Sequence, residues 1–272
     1  MTDADPAFAG PPCFNVHADP PLRLRGMPYA PTARQAWVLS TVCPELLHYG
    51  GGASGKSVAL LAGALQFIDV PGYAALIVRN RFSDLTVPGG LIDTSHQWLD
   101  RFTEARGRNG QPLATYNANE HRWTFSMSKA TLTFAHIGDP DIHGDYRPGF
   151  LSGRYQFVGF DQADEIPDRF LYARTFARLH RPPHVPSEHD DGRREGHGLR
   201  LSEVPLRARL TAGSLDPDDG LPGIEWVRQR FLADGGAPSI HSTYRDFPFI
   251  DIEAYEAALD MLPEAERRRL VT

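Results

Sequence analysis

The sequence of 272 residues predicts an α/β domain with a mostly parallel central sheet flanked by helices. A glycine-rich loop at 50–57 fits the phosphate-binding pattern G-x-x-x-x-G-K-[ST] without a mismatch. A short apolar strand at 45–49 precedes this loop, and apolar residues near helical spacing follow it at 58–68. The apolar run 74–78 then has the character of a second buried strand. Strand, loop, helix and strand in this order begin a parallel α/β sheet.

The glycine-rich loop predicts a site for ATP and Mg²⁺. Glycines let successive backbone N–H groups turn inward around a polyphosphate, and the lysine reaches the β- and γ-phosphates. The hydroxyl of the next residue, Ser57, holds Mg²⁺. Only two of the 28 basic residues are lysines, and one is Lys56, where a compact ammonium is needed beside phosphate. The predicted nucleotide-binding residues are Gly50, Gly51, Gly52, Ala53, Ser54, Gly55, Lys56 and Ser57.

Composition bounds the class of protein. With 41% apolar residues, the chain can bury the core of one large domain or of a domain with a small appendage. No apolar run approaches the length of a membrane span, and the acidic, proline-rich beginning does not resemble a secretory signal. We therefore expect a soluble protein that is not secreted and does not bind a membrane. Cys13 and Cys43 are expected to be reduced thiols.

The net charge of −6 argues against a surface coated in basic residues for nucleic acid. It leaves room for a local arginine patch, or for a basic lining that several subunits build together. Arginines that could contribute to such a lining are Arg79, Arg81, Arg101 and Arg106.

Two features of the sequence precede the glycine-rich loop. Residues 1–30 are rich in Pro, Ala and Asp without periodicity, which predicts an extended arm. Gln35 lies fifteen residues before Gly50, and its amide has both a donor and an acceptor, which suits the polar edge of adenine. A solvated helix glutamine is the alternative interpretation.

The middle of the chain predicts further elements. Two alternating runs, 122–126 and 130–134, predict a β-hairpin laid over the sheet. The stretch 182–198 has many charges and few apolar residues, so we expect it to be disordered.

The second half of the predicted site begins at Asp161, where the apolar strand 154–161 ends. In phosphate-loop NTPases such an aspartate contacts Mg²⁺, usually through water, and the following acidic residue positions or deprotonates the attacking water. Here the following residue is Gln162, with Asp164 and Glu165 just beyond. A glutamine can orient a water but cannot accept its proton.

Three interpretations of this segment stay open. Glu165 supplies the base, or Gln162 positions water in a naturally slow enzyme, or a Glu→Gln change holds ATP unhydrolysed.

A later strand, 206–212, runs into a loop with small hydroxyl residues. Near the γ-phosphate such a segment could sense the nucleotide state, although a plain strand-to-loop turn fits the sequence equally well.

Several short motifs occur in a fixed order along the chain. They are Pro-Thr-Ala-Arg-Gln at 31–35, the glycine-rich loop, Tyr-Gln-Phe-Val-Gly-Phe-Asp at 155–161, Thr-Ala-Gly-Ser-Leu-Asp-Pro at 211–217, and the segments 225–231, 242–251 and 262–270. Together they resemble the large terminase subunit of tailed bacteriophages. The resemblance covers about residues 29–272, and the C-terminal segments make it specific because the loop alone is shared by many NTPases.

This resemblance implies an ASCE-type P-loop ATPase that drives double-stranded DNA into a procapsid. The core would span 31–240 and carry the β-hairpin insertion, and a small lid subdomain at 241–272 would lead toward a nuclease domain that lies outside the chain. No nuclease activity is then expected. The coupling residues would be Thr211, Ala212, Gly213 and Ser214. Gln162 stands where the family usually has its catalytic glutamate, so hydrolysis should be slow.

The resemblance also implies partners. Subunits of this family form a ring, typically a pentamer, on the portal, work with a small terminase subunit, and act in the host cytoplasm, transiently on the procapsid. An arginine from a neighbouring subunit completes each nucleotide site, and the candidates are Arg154 and Arg147. With Lys56, Asp161, Gln162 and Glu165 they make up the predicted catalytic set. The alternatives are an ATP-dependent switch or assembly module with little turnover, and another ASCE translocase of helicase type.

Overall fold

The computed structural model describes residues 28–140, 142–195 and 198–271, and within 191–202 it describes the backbone alone. Most of the predicted arm, residues 1–27, lies outside these ranges. The helices are α1 (Ala33–Ser40), α2 (Lys56–Leu65), α3 (Ser83–Thr86), α4 (Leu91–Glu104), α5 (Arg169–Phe176), α6 (Ile224–Phe231), α7 (Ile252–Asp260) and α8 (Glu264–Val271). The strands are β1 (Glu45–Tyr49), β2 (Ala74–Arg79), β3 (Ala114–Asn117), β4 (Arg122–Phe125), β5 (Thr131–His136), β6 (Phe157–Phe160), β7 (Glu188–Glu195), β8 (Gly198–Glu203), β9 (Arg207–Ala212) and β10 (Ser239–His241).

An eight-stranded sheet in the order β10-β1-β9-β6-β2-β5-β4-β3 forms the centre of the fold. Every pairing from β10 to β5 is parallel, and β4 and β3 continue the sheet in antiparallel fashion. The predicted, mostly parallel sheet is therefore confirmed. β9 lies between β1, which leads into the glycine-rich loop, and β6, which leads into Asp161. Because parallel strands end at the same edge, all three chain segments meet there.

Helix α2 holds the glycine-rich loop against the core. Its residues from Ala59 to Leu65 are all buried, because it lies on the sheet and is also covered by α1 and α4. An almost entirely apolar helix of this kind is stable only when other elements enclose it. The loop that precedes it is therefore fixed at both ends, by β1 and by α2.

Strand β9 is buried along its whole length although it carries two arginines. Arg207 Nη1 donates to the carbonyl of Leu39 (3.3 Å), and Arg209 Nη1 donates to the carbonyl of Cys43 (3.0 Å). Burial lowers the pKa of both guanidinium groups. These bonds tie β9 to the connection between α1 and β1, so the strand is anchored at the end opposite to the predicted site.

The predicted β-hairpin is present as β4 and β5, but it does not lie over the sheet. β5 pairs in parallel with β2, and β4 and β3 then extend the sheet edge. Trp123 is fully buried and donates through Nε1 to Ser95 Oγ of α4 (2.9 Å). The apolar residues of the hairpin thus pack under α4, which explains why it continues the sheet.

The prediction of disorder at 182–198 is wrong for the described residues. β7 and β8 form a two-stranded antiparallel ribbon. Its base is closed by the bond from Val204 N–H to the Ser187 carbonyl (2.8 Å) and by Arg181, which donates to the carbonyls of Pro186 and Val204. Backbone pairing needs few apolar side chains, so composition alone missed it.

The structure also bears on the expectations for the cysteines, for a membrane span and for the lid. Cys43 is disulfide-bonded, so the prediction of a reduced thiol is wrong at that position, and Cys13 lies outside the described ranges. Each helix in the described part of the chain is too short or too polar to span a bilayer. The predicted lid, 241–272, contains α7 and α8, and β10 crosses its boundary with the core.

Candidate nucleotide-binding site

The glycine-rich loop has a conformation that depends on its fixed glycines. Gly50 has φ 132° and Gly55 has φ 73°, values that favour glycine. A Cβ atom at Gly50 would collide with the backbone carbonyl of Ser242, and one at Gly55 would collide with Gln35 and the ring of Phe247. The loop therefore runs in close contact with α1 and with the segment that follows β10.

Lys56 is folded back into this loop. Its ammonium donates to the carbonyls of Gly50 (2.9 Å) and Gly51 (2.5 Å) and to Ser54 Oγ (2.9 Å). Burial lowers the pKa of Lys56 to about 8, although Asp161 and Asp164 act in the opposite direction. The ammonium is thus available at the centre of the loop, held by neutral acceptors that an anionic phosphate can outcompete.

Helix α8 of the predicted lid contacts the other side of the loop. Gly52 N–H donates to the carbonyl of Leu270 (3.0 Å), and a Cβ atom at Gly51 would collide with the same carbonyl. Arg268 pairs with Asp216 (3.0 Å) in the loop after β9. One of the loop's N–H donors is therefore already occupied, and a phosphate that uses it must displace Leu270.

Asp161 is the buried carboxylate of the site. Its Oδ1 accepts hydrogen bonds from Ser57 Oγ (2.7 Å) and Thr211 Oγ1 (2.8 Å), and its Oδ2 pairs with Arg79. A hydroxyl and a carboxylate in contact are the hard oxygen ligands that Mg²⁺ prefers, and phosphates and waters complete its coordination. The predicted pair Ser57 and Asp161 fits Mg²⁺ on this ground.

The turn after Asp161 carries the remaining polar candidates. Gln162 has φ 56°, its N–H donates to Thr211 Oγ1 (2.9 Å), and its Oε1 is buried with no hydrogen-bond partner among the described residues. Asp164 Oδ2 accepts from Gly213 N–H (2.9 Å), and burial raises the pKa of Asp164. Burial also raises the pKa of Glu165, although Arg79 acts against this shift.

The predicted coupling segment connects the two halves of the site. Thr211 contacts Asp161 and Gln162 through its hydroxyl, and Gly213 accepts from Gly50 N–H (3.0 Å) while it donates to Asp164. Ala212 pairs with the end of β1, and Ser214 Oγ donates instead to Asp219 Oδ2 (2.7 Å). The structure therefore brings Thr211 and Gly213 into the site and leaves Ser214 at its margin.

Comparison with known proteins shows which solved structures share this fold. No protein-family model and no curated protein matches the chain. Among solved structures, the large terminase of a thermophilic bacteriophage in complex with ATP-γ-S matches with a TM-score of 0.58 and 11% identity over 88% of this chain and 51% of that chain. The Thermus phage P74-26 large terminase ATPase domain matches with a TM-score of 0.58 and 15% identity over 91% of this chain and 95% of that one. This chain has the fold of a phage large-terminase ATPase domain.

The terminase fold confirms the predicted fold class and the resemblance noted in the sequence. A third structure, the thermophilic phage's large terminase with ADP, has a TM-score of 0.53 at 14% identity and covers 88% of this chain and 52% of that one. The chain thus spans about half the length of those large terminases, and nearly the whole length of the isolated ATPase domain. Identities this low show the fold alone.

Gln35 lies beside the loop of this terminase fold and uses both ends of its amide. Oε1 accepts from Thr32 N–H (3.0 Å) in a capping box at the start of α1, and Nε2 donates to the Gly55 carbonyl (3.0 Å). The side chain is 1% exposed. Gln35 therefore fixes α1 against the loop, and contact with adenine stays a prediction.

The two arginine-finger candidates lie in different places. Arg154 is exposed and precedes β6, so it lies toward the opposite end of that strand from Asp161. Arg147 is exposed, pairs with Asp145 (3.3 Å), and follows Tyr146, which lines a cavity of about 430 Å³ together with Glu165. Arg147 thus directly follows a residue that lines this cavity, and a role in a neighbour's site stays a prediction for both arginines.

Arg79 and Asp164 are the residues that the sequence did not assign to the site. Arg79 is one of the arginines that could contribute to a DNA-binding lining, but its side chain is 15% exposed and pairs with Asp161. One signal was available, since Arg79 ends a buried strand at the edge where parallel strands meet. No signal in the sequence separates Asp164 from Glu165.

Proposed function

We propose that this chain binds ATP with Mg²⁺ and hydrolyses it as the motor domain of a viral terminase large subunit, which moves double-stranded DNA into a procapsid. The observation that carries the proposal is the hydrogen-bond set that joins the loop, Asp161 and β9 at one sheet edge. Ser57 and Thr211 donate to Asp161, and Gly213 accepts from Gly50. A glycine-rich loop and a buried carboxylate joined in this way are what a nucleoside triphosphate with its metal requires.

The loop performs the binding step. The ammonium of Lys56 leaves the carbonyls of Gly50 and Gly51 and turns onto the phosphates, because a charge-assisted bond is stronger than a bond to a neutral acceptor. The N-terminus of α2 faces the same anion and adds the positive end of the helix dipole. Mg²⁺ held through Ser57 and Asp161 would neutralise charge that builds up on the phosphates.

The turn after Asp161 performs the hydrolytic step. Glu165 accepts the proton of the attacking water, since its carboxylate has a raised pKa and only a loose ion pair with Arg79 (3.6 Å). Asp164 is less suited because one of its oxygens is held by Gly213. Gln162 orients the water through Oε1. Glu165 lies three positions further along the chain than the glutamate of a direct Asp-Glu pair, so turnover is slow.

A second function is favoured by a specific contact. An ATP-dependent switch or assembly module with little turnover would use Gln162 to hold ATP unhydrolysed. The bond between Gly52 and Leu270 would then be the element that ATP releases. A translocase of helicase type would keep the same nucleotide site and differ in separating strands.

As a motor, the chain would act in a ring of subunits, typically five, on the portal, together with a small terminase subunit, in the host cytoplasm. Arg154 or Arg147 of one subunit would complete the site of the next. Because the net charge is −6, DNA must be held by a local surface, such as a band of arginines contributed by several subunits. Affinity for DNA should then fall steeply with salt. The likeness to phage large terminases supports this assignment.

Variants of the two lysines test the ATPase proposal. Lys56→Ala should lose ATP binding and turnover. Lys129→Asn removes the only other lysine, an exposed residue in the turn between β4 and β5 with φ 59°, which asparagine tolerates, so both should persist. If the unaltered protein fails to bind ATP with Mg²⁺ at millimolar concentrations, the proposal is wrong.

Turnover in the presence of partners separates the functions. Stimulation of steady-state ATPase by procapsids and double-stranded DNA supports the packaging motor. Tight ATP binding with negligible turnover, also in Gln162→Glu, supports the switch. Separation of DNA strands supports the helicase-type translocase.

A further inference from the structure

Arg79 lies at the centre of an acidic cluster in the candidate site. Its guanidinium pairs with Asp161 Oδ2, lies 3.6 Å from Glu165 Oε1 through Nη2, and lies 3.7 Å from Asp84 Oδ2 through Nε. One cation therefore contacts carboxylates from three chain segments, namely the end of β6, the turn after it, and α3.

The sheet fixes the position of Arg79. It is the last residue of β2, which pairs in parallel with β6 so that Val78 is opposite Phe160, and Asp161 N–H donates to the Val78 carbonyl (2.9 Å). Arg79 thus follows Val78 as Asp161 follows Phe160 on the neighbouring strand. Its contact with Asp161 is a consequence of strand register and not of a mobile surface side chain.

The two oxygens of Asp161 have different partners. Oδ1 accepts from Ser57 and Thr211, the residues of the proposed metal site and the coupling strand, whereas Oδ2 is held by Arg79. A guanidinium keeps its charge at any physiological pH. Arg79 therefore reduces the negative charge that Asp161 can offer to Mg²⁺, and at the same time it restrains Glu165, the proposed base.

We infer that Arg79 is a positioning residue with two separable effects. It orients Glu165 for water activation, and it opposes Mg²⁺ at Asp161. This inference rests on the proposed ATPase function. Loss of the Arg79 side chain should strengthen Mg²⁺ binding and weaken turnover. Loss of a residue that only supports the fold would weaken both.

Mg²⁺ titrations with a fluorescent ADP analogue measure the first effect without turnover. In Arg79→Gln, the Mg²⁺ concentration for half-maximal binding should fall about tenfold, the size expected for one lost charge-assisted bond. Arg81→Gln removes an exposed arginine two residues further on and should leave the titration unchanged. An unchanged or increased Mg²⁺ requirement in Arg79→Gln overturns the inference.

Arg79→Lys separates the two effects and guards against a misfolded glutamine variant. A lysine keeps one positive charge near Asp161 but lacks the planar fork that reaches Asp161 and Glu165 together. Its Mg²⁺ requirement should stay close to that of the unaltered protein while ATP turnover falls about tenfold. Turnover equal to that of the unaltered protein overturns the positioning role. If the unaltered protein itself shows no Mg²⁺-dependent nucleotide binding, the proposed function fails first.

Discussion

The hydroxyl of Thr211 offers a sharp test of how the site is held together. Oγ1 donates to Asp161 Oδ1 (2.8 Å) and accepts from Gln162 N–H (2.9 Å), and the side chain is 2% exposed. Thr211→Val keeps the shape of the side chain and removes both bonds. A bond to a charged group contributes about 1.5–3 kcal/mol, and an unsatisfied buried donor costs about 1–3 kcal/mol.

Asp161 keeps its bonds from Ser57 and Arg79 in this variant, so the expected loss lies in the lower part of that combined range. We expect the free energy of unfolding to fall by about 2.5–4 kcal/mol. Equilibrium unfolding in urea measures it as a shift of the midpoint at constant slope.

Thr175→Val in α5 is the matched control. Thr175 is fully buried, and its hydroxyl donates only to the carbonyl of Leu171 (2.7 Å), a neutral acceptor within the same helix. Loss of that bond should cost about 0.5–1.5 kcal/mol. If Thr211→Val is no more destabilised than Thr175→Val, the bonds around Asp161 do not stabilise the site as argued.

Three further predictions concern the nucleotide. Gln162→Glu should raise steady-state ATP turnover at least tenfold by adding a second base directly after Asp161, and unchanged turnover would refute the argument that position 162 limits the rate. Glu165→Ala should lose turnover and keep ATP binding, and turnover that persists in it would show that Glu165 is not the base. Arg268→Glu should loosen α8 from the acidic loop after β9 and raise nucleotide affinity at low salt. The increase should be only about two- to fivefold, because exposed ion pairs are weak. Arg267→Glu, whose partner lies in α7, should change the affinity little, and equal effects of the two variants would refute the argument. Because the pKa of Lys56 is lowered to about 8, its ammonium is lost as pH rises through that value, so ATP affinity measured by titration should fall above about pH 8, and a flat profile up to pH 9.5 would contradict this.

The sequence alone predicted the parts of the site that local patterns define. The glycine-rich loop and Asp161 follow from residue spacing and from the strand that precedes each of them. The sequence offered Arg79 as a possible contributor to a DNA-binding surface, and the structure shows it beside Asp161. This contact depends on β2 being the neighbour of β6, and strand order is set by non-local packing. The contact of Leu270 with Gly52 uses a backbone carbonyl and therefore has no signature in residue types.

The difference between local sequence patterns and non-local packing also explains which parts of the fold were predicted. The hairpin was predicted from alternation, but alternation does not say which edge of which sheet a hairpin extends. The ribbon of β7 and β8 was missed because its stretch has few apolar residues and is held by backbone pairing and by Arg181. Burial of Arg207 and Arg209 is likewise invisible in composition, since each is satisfied mainly by main-chain carbonyls.

The position of β9 connects the proposed nucleotide site physically to α8 of the predicted lid. Asp161 cannot shift without stretching its 2.8 Å bond to Thr211, and Gly213, two residues on, is bonded to Gly50 of the loop. The chain then continues into the acidic residues that hold Arg268 and Arg269 of α8. A phosphate that displaces Leu270 from Gly52 therefore acts on α8 at one end, while a change at Asp161 acts on it through β9 at the other. Both effects converge on one helix, so its position should follow the state of the nucleotide.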